Sequence, residues 1–226
     1  MAIMVKDELG NGAFVHIMNF RVVKIAEISG MNHLAHAYLS FGHPDVLVGN
    51  MISDHVKGRK KEDYPLGIQK GIRLHRAIDM FTDAHEMVRE AKTVFRKDYR
   101  LYSGAFVDIV FDHFLATDPE EFSDVTLLDF TAKTYAMLEP YTPLFPDPFS
   151  RMFPYMKTQN WLYHYQFMEG MQNSFGGLVR RAKYISESTT AFTLFDKHYE
   201  MLRVCYNHFF PELKEFAYLT YLAERP

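Results

Sequence analysis

After residue 31, apolar side chains recur every three to four positions, and no stretch shows the strict two-residue alternation of a half-buried strand. This periodicity predicts helices over 44–56, 65–81, 84–95, 104–116, 125–138, 159–172 and 190–210, followed by a short helix to Leu222. The Gly176–Gly177 pair and Pro211 are predicted to end the helices that precede them, and the prolines between 140 and 154 predict an irregular connection. The expected fold class is all-α, a multi-helix bundle.

The helix predicted over Gly104–Ala116 is almost entirely apolar, but it contains Asp108, Asp112 and His113. The two aspartates are four residues apart and therefore share one face of the helix. A carboxylate buried among apolar side chains is costly unless something pairs with it. The partner is either a cation, an arginine or histidine, or the N-terminus of another helix, and the residues alone leave these alternatives open.

Residues 1–30 lack the helical periodicity of the rest of the chain. They contain a turn signal at Gly10–Gly12 and a stretch at 20–28 that suits either a strand or a helix. Met31 is itself a candidate start. We expect 1–30 to be an N-terminal extension of unassigned role and 31–226 to form a single α-helical domain.

Composition narrows the class of protein. The 226 residues are 48% hydrophobic and 15% aromatic, which is ample for a packed core. A net charge of -3 gives no sign of a nucleic-acid binder, and the lack of a long uncharged apolar run predicts no membrane span. The single cysteine, Cys205, excludes an internal disulfide and a cysteine-based zinc cluster, and it fits a reducing cytoplasm. The oligomeric state is not predictable from these features.

Polar residues set into the apolar helices suggest a metal site. They are His36, Asp54, His75, Asp79, Asp108, Asp112 and His113. Imidazole and carboxylate ligands together suit Mn²⁺, Fe²⁺ or Mg²⁺, and also Zn²⁺. Such an ion promotes hydrolysis of a phosphate ester, so spacing alone leads to a metal-dependent hydrolase as one hypothesis. The opposing interpretation is a set of solvated or structurally paired side chains. Asp83 is interpreted as structural, the N-cap of the helix over 84–95.

Several segments, in order along the chain, resemble the acyl carrier protein phosphodiesterase family. They are Met31–His36, Gly49–Gly58, Gly71–Asp79 with Thr82–Asp83, Asp108–Leu115, Trp161–Leu162 with Tyr165, and Phe195–Asp196 with His198–Tyr199. The resemblance implies an HD-domain-like helical hydrolase over 31–226. It also implies an enzyme that removes the 4′-phosphopantetheine arm from holo-acyl carrier protein by hydrolysing a phosphodiester, with Mn²⁺ as the usual cofactor. The donor set leaves Mg²⁺ or Fe²⁺ as alternatives, and the cysteine content makes the cytoplasm the expected location.

The same resemblance implies roles for individual residues. The implied metal ligands are His36, Asp54, His75, Asp79 and Asp112. The implied catalytic residues are Asp112, His113, His75 and Arg76. Asp108 would not bind the metal but would fix the tautomer of a metal-binding histidine. An arginine, Arg73 or Arg76, would stabilise charge on the phosphate, and His113 or His75 would protonate the leaving serine oxygen.

A basic segment follows Asp54 directly. Lys57, Arg59, Lys60 and Lys61, with Arg73, are expected to bind the acidic carrier protein, and Arg180, Arg181 and Lys183 are expected to extend that surface. The plain alternative is a solvated linker. Two further functional hypotheses stay open: a related hydrolase acting on a small-molecule phosphate ester or nucleotide, and a non-enzymatic helical protein that binds a carrier protein or a lipid-like chain.

Overall fold

The computed structural model describes the backbone of residues 3–6 and 12–15 and the chain from 33 to 223. In the first part, strands β1 (Ile3–Lys6) and β2 (Gly12–Val15) pair antiparallel, with Ile3 opposite Val15. Gly12, the last residue of the predicted turn, is the first residue of β2, and the stretch at 20–28 lies outside the described residues. The division of the chain into an N-terminal extension (1–30) and a single α-helical domain (31–226) stays a prediction.

From residue 33 to residue 223 the described chain is helical, so the all-α prediction is confirmed. The α-helices are α1 (His33–Tyr38), α2 (Pro44–Ile52), α3 (Leu66–Ala84), α4 (Glu86–Tyr99), α5 (Ser103–Ala116), α6 (Asp124–Leu138), α7 (Asp147–Thr158), α8 (Trp161–His164), α9 (Met168–Arg181), α10 (Thr189–Lys197) and α11 (Tyr199–Ala223). Short 3-10 helices span Ser53–His55, Gly58–Asp63, Arg100–Tyr102 and Glu139–Leu144.

Helix α5 lies at the centre of the bundle and packs against α1, α4, α9 and α11. Its apolar side chains are buried around the helix, with Phe106, Val107 and Ile109 fully inaccessible to solvent. A helix that is apolar on all sides is stable only inside a protein. The interior position predicted for Gly104–Ala116 is therefore confirmed.

Several predicted helix ends are wrong because packing outweighs the local breaking signal. Pro211 lies inside α11, where Phe209, Phe210 and Leu213 are buried and hold the helix together across the proline. The Gly176–Gly177 pair lies inside α9 between buried Phe175 and Leu178. Conversely, the helix expected over 190–210 is interrupted at His198, between α10 and α11.

The irregular connection expected between 140 and 154 is also wrong, since this stretch contains most of a 3-10 helix and the first two turns of α7. Pro148 stands in the first turn of α7, a position that needs no backbone N–H. The helix expected over 159–172 is divided into α8 and α9.

Asp83 does not cap α4, because α3 continues through it to Ala84. His85 is the N-cap of α4, and its Nδ1 accepts the N–H of Met87 at 3.2 Å. Asp83 instead pairs with Lys92, with 2.7 Å between the carboxylate oxygen and Nζ.

Among residues 33–223, no helix combines the length and apolar character needed to cross a bilayer. The cytoplasmic location stays a prediction.

Candidate metal centre

Helices α2 and α3 cross at two glycines, and this crossing builds the site. A Cβ atom on Gly49 would lie 2.0 Å from the carbonyl oxygen of Ile68, and one on Gly71 would lie 2.2 Å from that of Val46. Only glycine leaves room for the two backbones to approach this closely. The approach places Asn50, one residue after Gly49, against His75, one turn after Gly71.

Asn50 is fully buried and orients two imidazoles. Its side-chain Nδ2 donates to the carbonyl oxygen of His36 at 2.8 Å and to Oγ of Ser40 at 3.1 Å, which fixes the amide. Its Oδ1 therefore accepts from Nδ1 of His36 at 2.8 Å, and its backbone oxygen accepts from Nδ1 of His75 at 2.8 Å. With both Nδ1 atoms engaged, both Nε2 atoms face the same space.

The two rings stack with 3.9 Å between their centroids, and two carboxylates meet their Nε2 atoms. Nε2 of His75 lies 3.1 Å from Oδ1 of Asp54 and 3.2 Å from Oδ2 of Asp79. Nε2 of His36 lies 3.4 Å from Oδ1 of Asp79 and makes no hydrogen bond in the described structure. We call His36, Asp54, His75 and Asp79 the His/Asp cluster.

Electrostatics in the cluster suit a bound cation. Burial lowers the pKa of His75, but the carboxylates of Asp79 and Asp54 outweigh it and raise the value to about 10. Burial acts to raise the pKa of Asp79, but His75 and His36 outweigh it and hold the value below its usual range. Burial and then the neighbouring His75 lower the pKa of His36, which favours its neutral, ligating form.

A divalent ion fits the donor set of His36, His75 and Asp79, whose ligand atoms all lie within 4.8 Å of one another. The buried Nε2 of His36, which lacks a hydrogen bond, is the kind of atom that a metal satisfies. Asp79 has a side chain 38% exposed, compared with 2% for His36, so the cluster opens to solvent at Asp79. The described residues therefore contain a possible metal-binding group, as the expectation of a metal cofactor requires. The identity of the metal stays a prediction.

The structure does not bring Asp112 into this group. Its Oδ2 accepts the N–H of Leu34 at 3.0 Å and its Oδ1 accepts the N–H of Ala35 at 2.8 Å, so it caps the N-terminus of α1. Burial raises its pKa well above the usual range, although these two N–H groups act in the opposite direction. Of the alternatives left open by the sequence, the N-terminus of another helix is the observed partner.

His113 also lies apart from the His/Asp cluster. Its Nδ1 lies 2.7 Å from the backbone oxygen of Tyr165, and its Nε2 lies 2.9 Å from the hydroxyl of Tyr199. With both ring nitrogens engaged in a buried setting, it joins α5 to the segment after α8 and to α11. Its predicted catalytic role stays untested, and this geometry favours a structural one.

Asp108 is not a member of the His/Asp cluster, although the charge of Asp79 acts on it. Burial and the nearby Asp79 carboxylate raise its pKa to about 8. It does not hold the tautomer of either clustered histidine, because Asn50 occupies both Nδ1 atoms. Arg76 donates to the backbone oxygen of Val56 at 3.0 Å and so holds the segment that carries Asp54.

Sequence reasoning missed three residues beside the cluster. Asn50 was detectable as the one polar side chain in the buried part of α2, from Val46 to Ile52. His33 is buried, its Nε2 has no hydrogen bond in the described structure, and burial followed by the charge of Arg181 lowers its pKa to about 3. His55 is half-buried next to Asp54, and burial lowers its pKa while Asp54 opposes the change.

Comparison with known proteins identifies the protein family. The family model described as acyl carrier protein phosphodiesterase matches residues 31–213. The chain belongs to the acyl carrier protein phosphodiesterase family. A protein of that name from Yersinia pestis is 31% identical over 184 residues, which cover 81% of this chain and 95% of the relative. Relatives of the same name from Salmonella paratyphi A and Salmonella dublin are each 32% identical with the same coverage.

Membership of the acyl carrier protein phosphodiesterase family confirms the predicted resemblance and the enzyme class, a phosphodiesterase. All four residues of the His/Asp cluster lie within the matched segment. No solved structure matches the chain. The HD-domain-like character of the bundle therefore stays a prediction.

Proposed function

We propose that this protein is a metal-dependent phosphodiesterase that hydrolyses the 4′-phosphopantetheine arm from holo-acyl carrier protein to give apo-acyl carrier protein. The observation that carries the proposal is the convergence of two Nε2 atoms on the carboxylates of Asp54 and Asp79, within a member of this family. The name of the relatives supplies the substrate. The cluster supplies a place for the chemistry.

His36, His75 and Asp79 would hold the ion, and Asp54 would complete the set. Two nitrogen and two carboxylate donors suit Mn²⁺, with Mg²⁺ or Fe²⁺ as alternatives. When bound, such an ion would supply Lewis-acid chemistry, the polarisation of a phosphoryl oxygen and the activation of water at neutral pH. We leave Asp112 out of the proposed ligand set because both of its oxygens already accept backbone N–H groups.

The chain's own residues position the reaction. Asn50 holds both imidazoles with Nε2 toward the substrate space, and Arg76 holds the backbone that follows Asp54. The half-exposed edge of Asp79 gives the phosphodiester access. The basic 3-10 helix over Gly58–Asp63 follows the Asp54 segment and would contact the acidic carrier protein.

The test is intact mass spectrometry of holo-acyl carrier protein after incubation with the protein and Mn²⁺, with and without chelator. We expect loss of the phosphopantetheine mass only without chelator. Asp79→Asn should abolish the loss. Asp83→Asn is the matched control, since it changes an exposed carboxylate one turn further along the same helix and should retain full activity.

Other outcomes would reject the proposal in distinct ways. Hydrolysis of nucleotides or small phosphate esters with no change in the carrier protein would favour the small-molecule hydrolase. Carrier-protein binding with no bound metal and no mass loss would favour the non-enzymatic hypothesis. Full activity of Asp79→Asn would remove the His/Asp cluster from the reaction even if the activity were real.

A further inference from the structure

A cleft of about 520 Å³ lies between α8 and α9, apart from the residues of the His/Asp cluster. This volume is in the range of about 300–1,000 Å³ that is typical of small-molecule sites. The walls combine aromatic rings, side-chain amide and hydroxyl groups, two guanidinium groups and one carboxylate, and they include Trp161, Tyr165, Glu169, Asn173, Ser174, Arg180 and Arg181.

The close packing of α8 on α9 fixes the position of the cleft walls. A Cβ atom on Gly170, which lines the cleft, would lie 1.9 Å from the backbone oxygen of His164, so the two helices meet without space for a side chain. The hydroxyl of Tyr135 accepts the N–H of Leu162 at 3.1 Å and ties α8 to α6. The cleft walls are therefore held from both sides.

Two wall residues connect the cleft to the metal centre. The backbone oxygen of Tyr165 lies 2.7 Å from Nδ1 of His113, which directly follows Asp112, the carboxylate that caps α1, and α1 carries His33 and His36. Arg181 is the last residue of α9, and α9 packs directly on α5, the helix that carries Asp112. One end of the cleft therefore adjoins α5 and, through the Asp112 cap, the helix α1 that carries His36.

We propose that this cleft binds the pantetheine chain of the substrate, with Arg181 contacting the phosphate at the end nearest the His/Asp cluster. The proposal rests on the proposed function, since it names where part of that substrate lies. The phosphopantetheine arm carries two amides, one free hydroxyl, a thiol and a dimethyl-substituted carbon next to its phosphate end. Asn173 and Ser174 offer partners to the polar groups, Trp161 offers an apolar surface, and a guanidinium suits a phosphate oxygen.

The test measures binding of two probes, 4′-phosphopantetheine and pantetheine, by calorimetry with the metal-free protein in chelator. Ser174→Trp, which places an indole in the cleft, should weaken both probes at least about tenfold, the loss expected when a pocket is filled. Arg181→Gln should weaken 4′-phosphopantetheine by about tenfold and pantetheine less than about twofold, because only the first carries the phosphate. Arg151→Gln, on the exposed face of α7, is the control and should bind both probes as the wild type does.

The outcomes separate this proposal from the function on which it rests. The cleft assignment would be overturned if Ser174→Trp and Arg181→Gln bound each probe as tightly as the wild type does. It would also be overturned if the wild type bound neither probe. In either case, hydrolysis of holo-acyl carrier protein by the wild type would leave the function standing. Selective loss of binding in the variants without any hydrolysis by the wild type would support the cleft and reject the function. Unchanged melting temperatures would show that the variants fold.

Discussion

Asn50 sets the direction of both imidazoles in the cluster, although it would not touch the metal itself. Its amide accepts from His36 and its backbone oxygen accepts from His75. Groups that orient metal-binding histidines from behind typically contribute 10- to 100-fold to affinity or activity. The residue therefore links the packing of α2 to the chemistry of the site.

Asn50→Leu should lower the affinity for Mn²⁺ by about 10- to 100-fold, because Nδ1 of His36 loses its acceptor and the ring loses its orientation. His75 should keep its bond, since the acceptor there is the backbone. Titration calorimetry measures the affinity, and Asn207→Leu on the exposed face of α11 is the matched control. An affinity within twofold of the wild type, in a variant that folds, would contradict the orienting role.

Asp112→Asn separates a helix cap from a metal ligand. An amide presents one oxygen and one NH₂ group where two backbone N–H groups need acceptors, so the metal-free protein should lose about 1–3 kcal/mol of unfolding free energy. Its Mn²⁺ affinity should fall less than that of Asp79→Asn. Urea unfolding in chelator and calorimetry measure the two quantities. Loss of metal binding without loss of stability would restore Asp112 as a ligand.

These residues show what sequence can and cannot predict. Asp54 and Asp112 are both carboxylates in apolar surroundings, and both were expected to bind metal. The difference is tertiary: Asp54 faces His75, which is 21 residues away, whereas Asp112 faces the start of α1, which is 78 residues away. No local pattern encodes which of these distant partners a carboxylate meets.

At the scale of elements, periodicity predicted the helical class and the buried α5, but it failed at helix ends. Glycine and proline weaken a helix by amounts that burial of a few aromatic and aliphatic side chains can exceed. Phe209 and Phe210 act in this way beside Pro211. The glycines that matter most, Gly49 and Gly71, do not break helices but allow two of them to touch.

Gly71→Ala should therefore lower the unfolding free energy by about 1–3 kcal/mol, the usual cost of forcing an extra methyl group into a packed interior. The new Cβ would meet the backbone of Val46, which cannot move aside as a flexible side chain can. Urea unfolding in chelator measures the change.

Gly176→Ala is the matched control within a helix, because its Cβ would meet no backbone atom, only the tip of Arg180 at 3.4 Å and Oγ of Ser188 at 3.9 Å. It should leave stability unchanged or raise it by up to about 1 kcal/mol, since alanine favours the helix. An equal effect at both positions would show that helix propensity, and not the crossing of α2 and α3, determines the response.

At the scale of the whole molecule, the net charge is negative, but the segment next to the His/Asp cluster is positively charged. The net charge is -3, so a strongly acidic carrier protein is not attracted by the protein as a whole. The segment from Lys57 to Asp63 carries four basic and two acidic side chains, a local excess of positive charge. Because the Debye length is about 8 Å at physiological salt, a partner in contact responds to this local segment and less to the distant remainder.

Reversing two of these charges, Lys60→Glu with Lys61→Glu, should raise the KM for holo-acyl carrier protein by about tenfold and leave kcat nearly unchanged, because contacts outside the reacting centre mainly affect encounter and binding. The effect should shrink as salt is added, since screening weakens the attraction that is lost. Arg96→Glu with Lys97→Glu, at the exposed end of α4, makes the same change in net charge and is the matched control. If both double variants raised KM equally, overall charge would control the encounter. An unchanged KM at physiological salt in the Lys60 and Lys61 variant would remove the 3-10 helix from the docking surface.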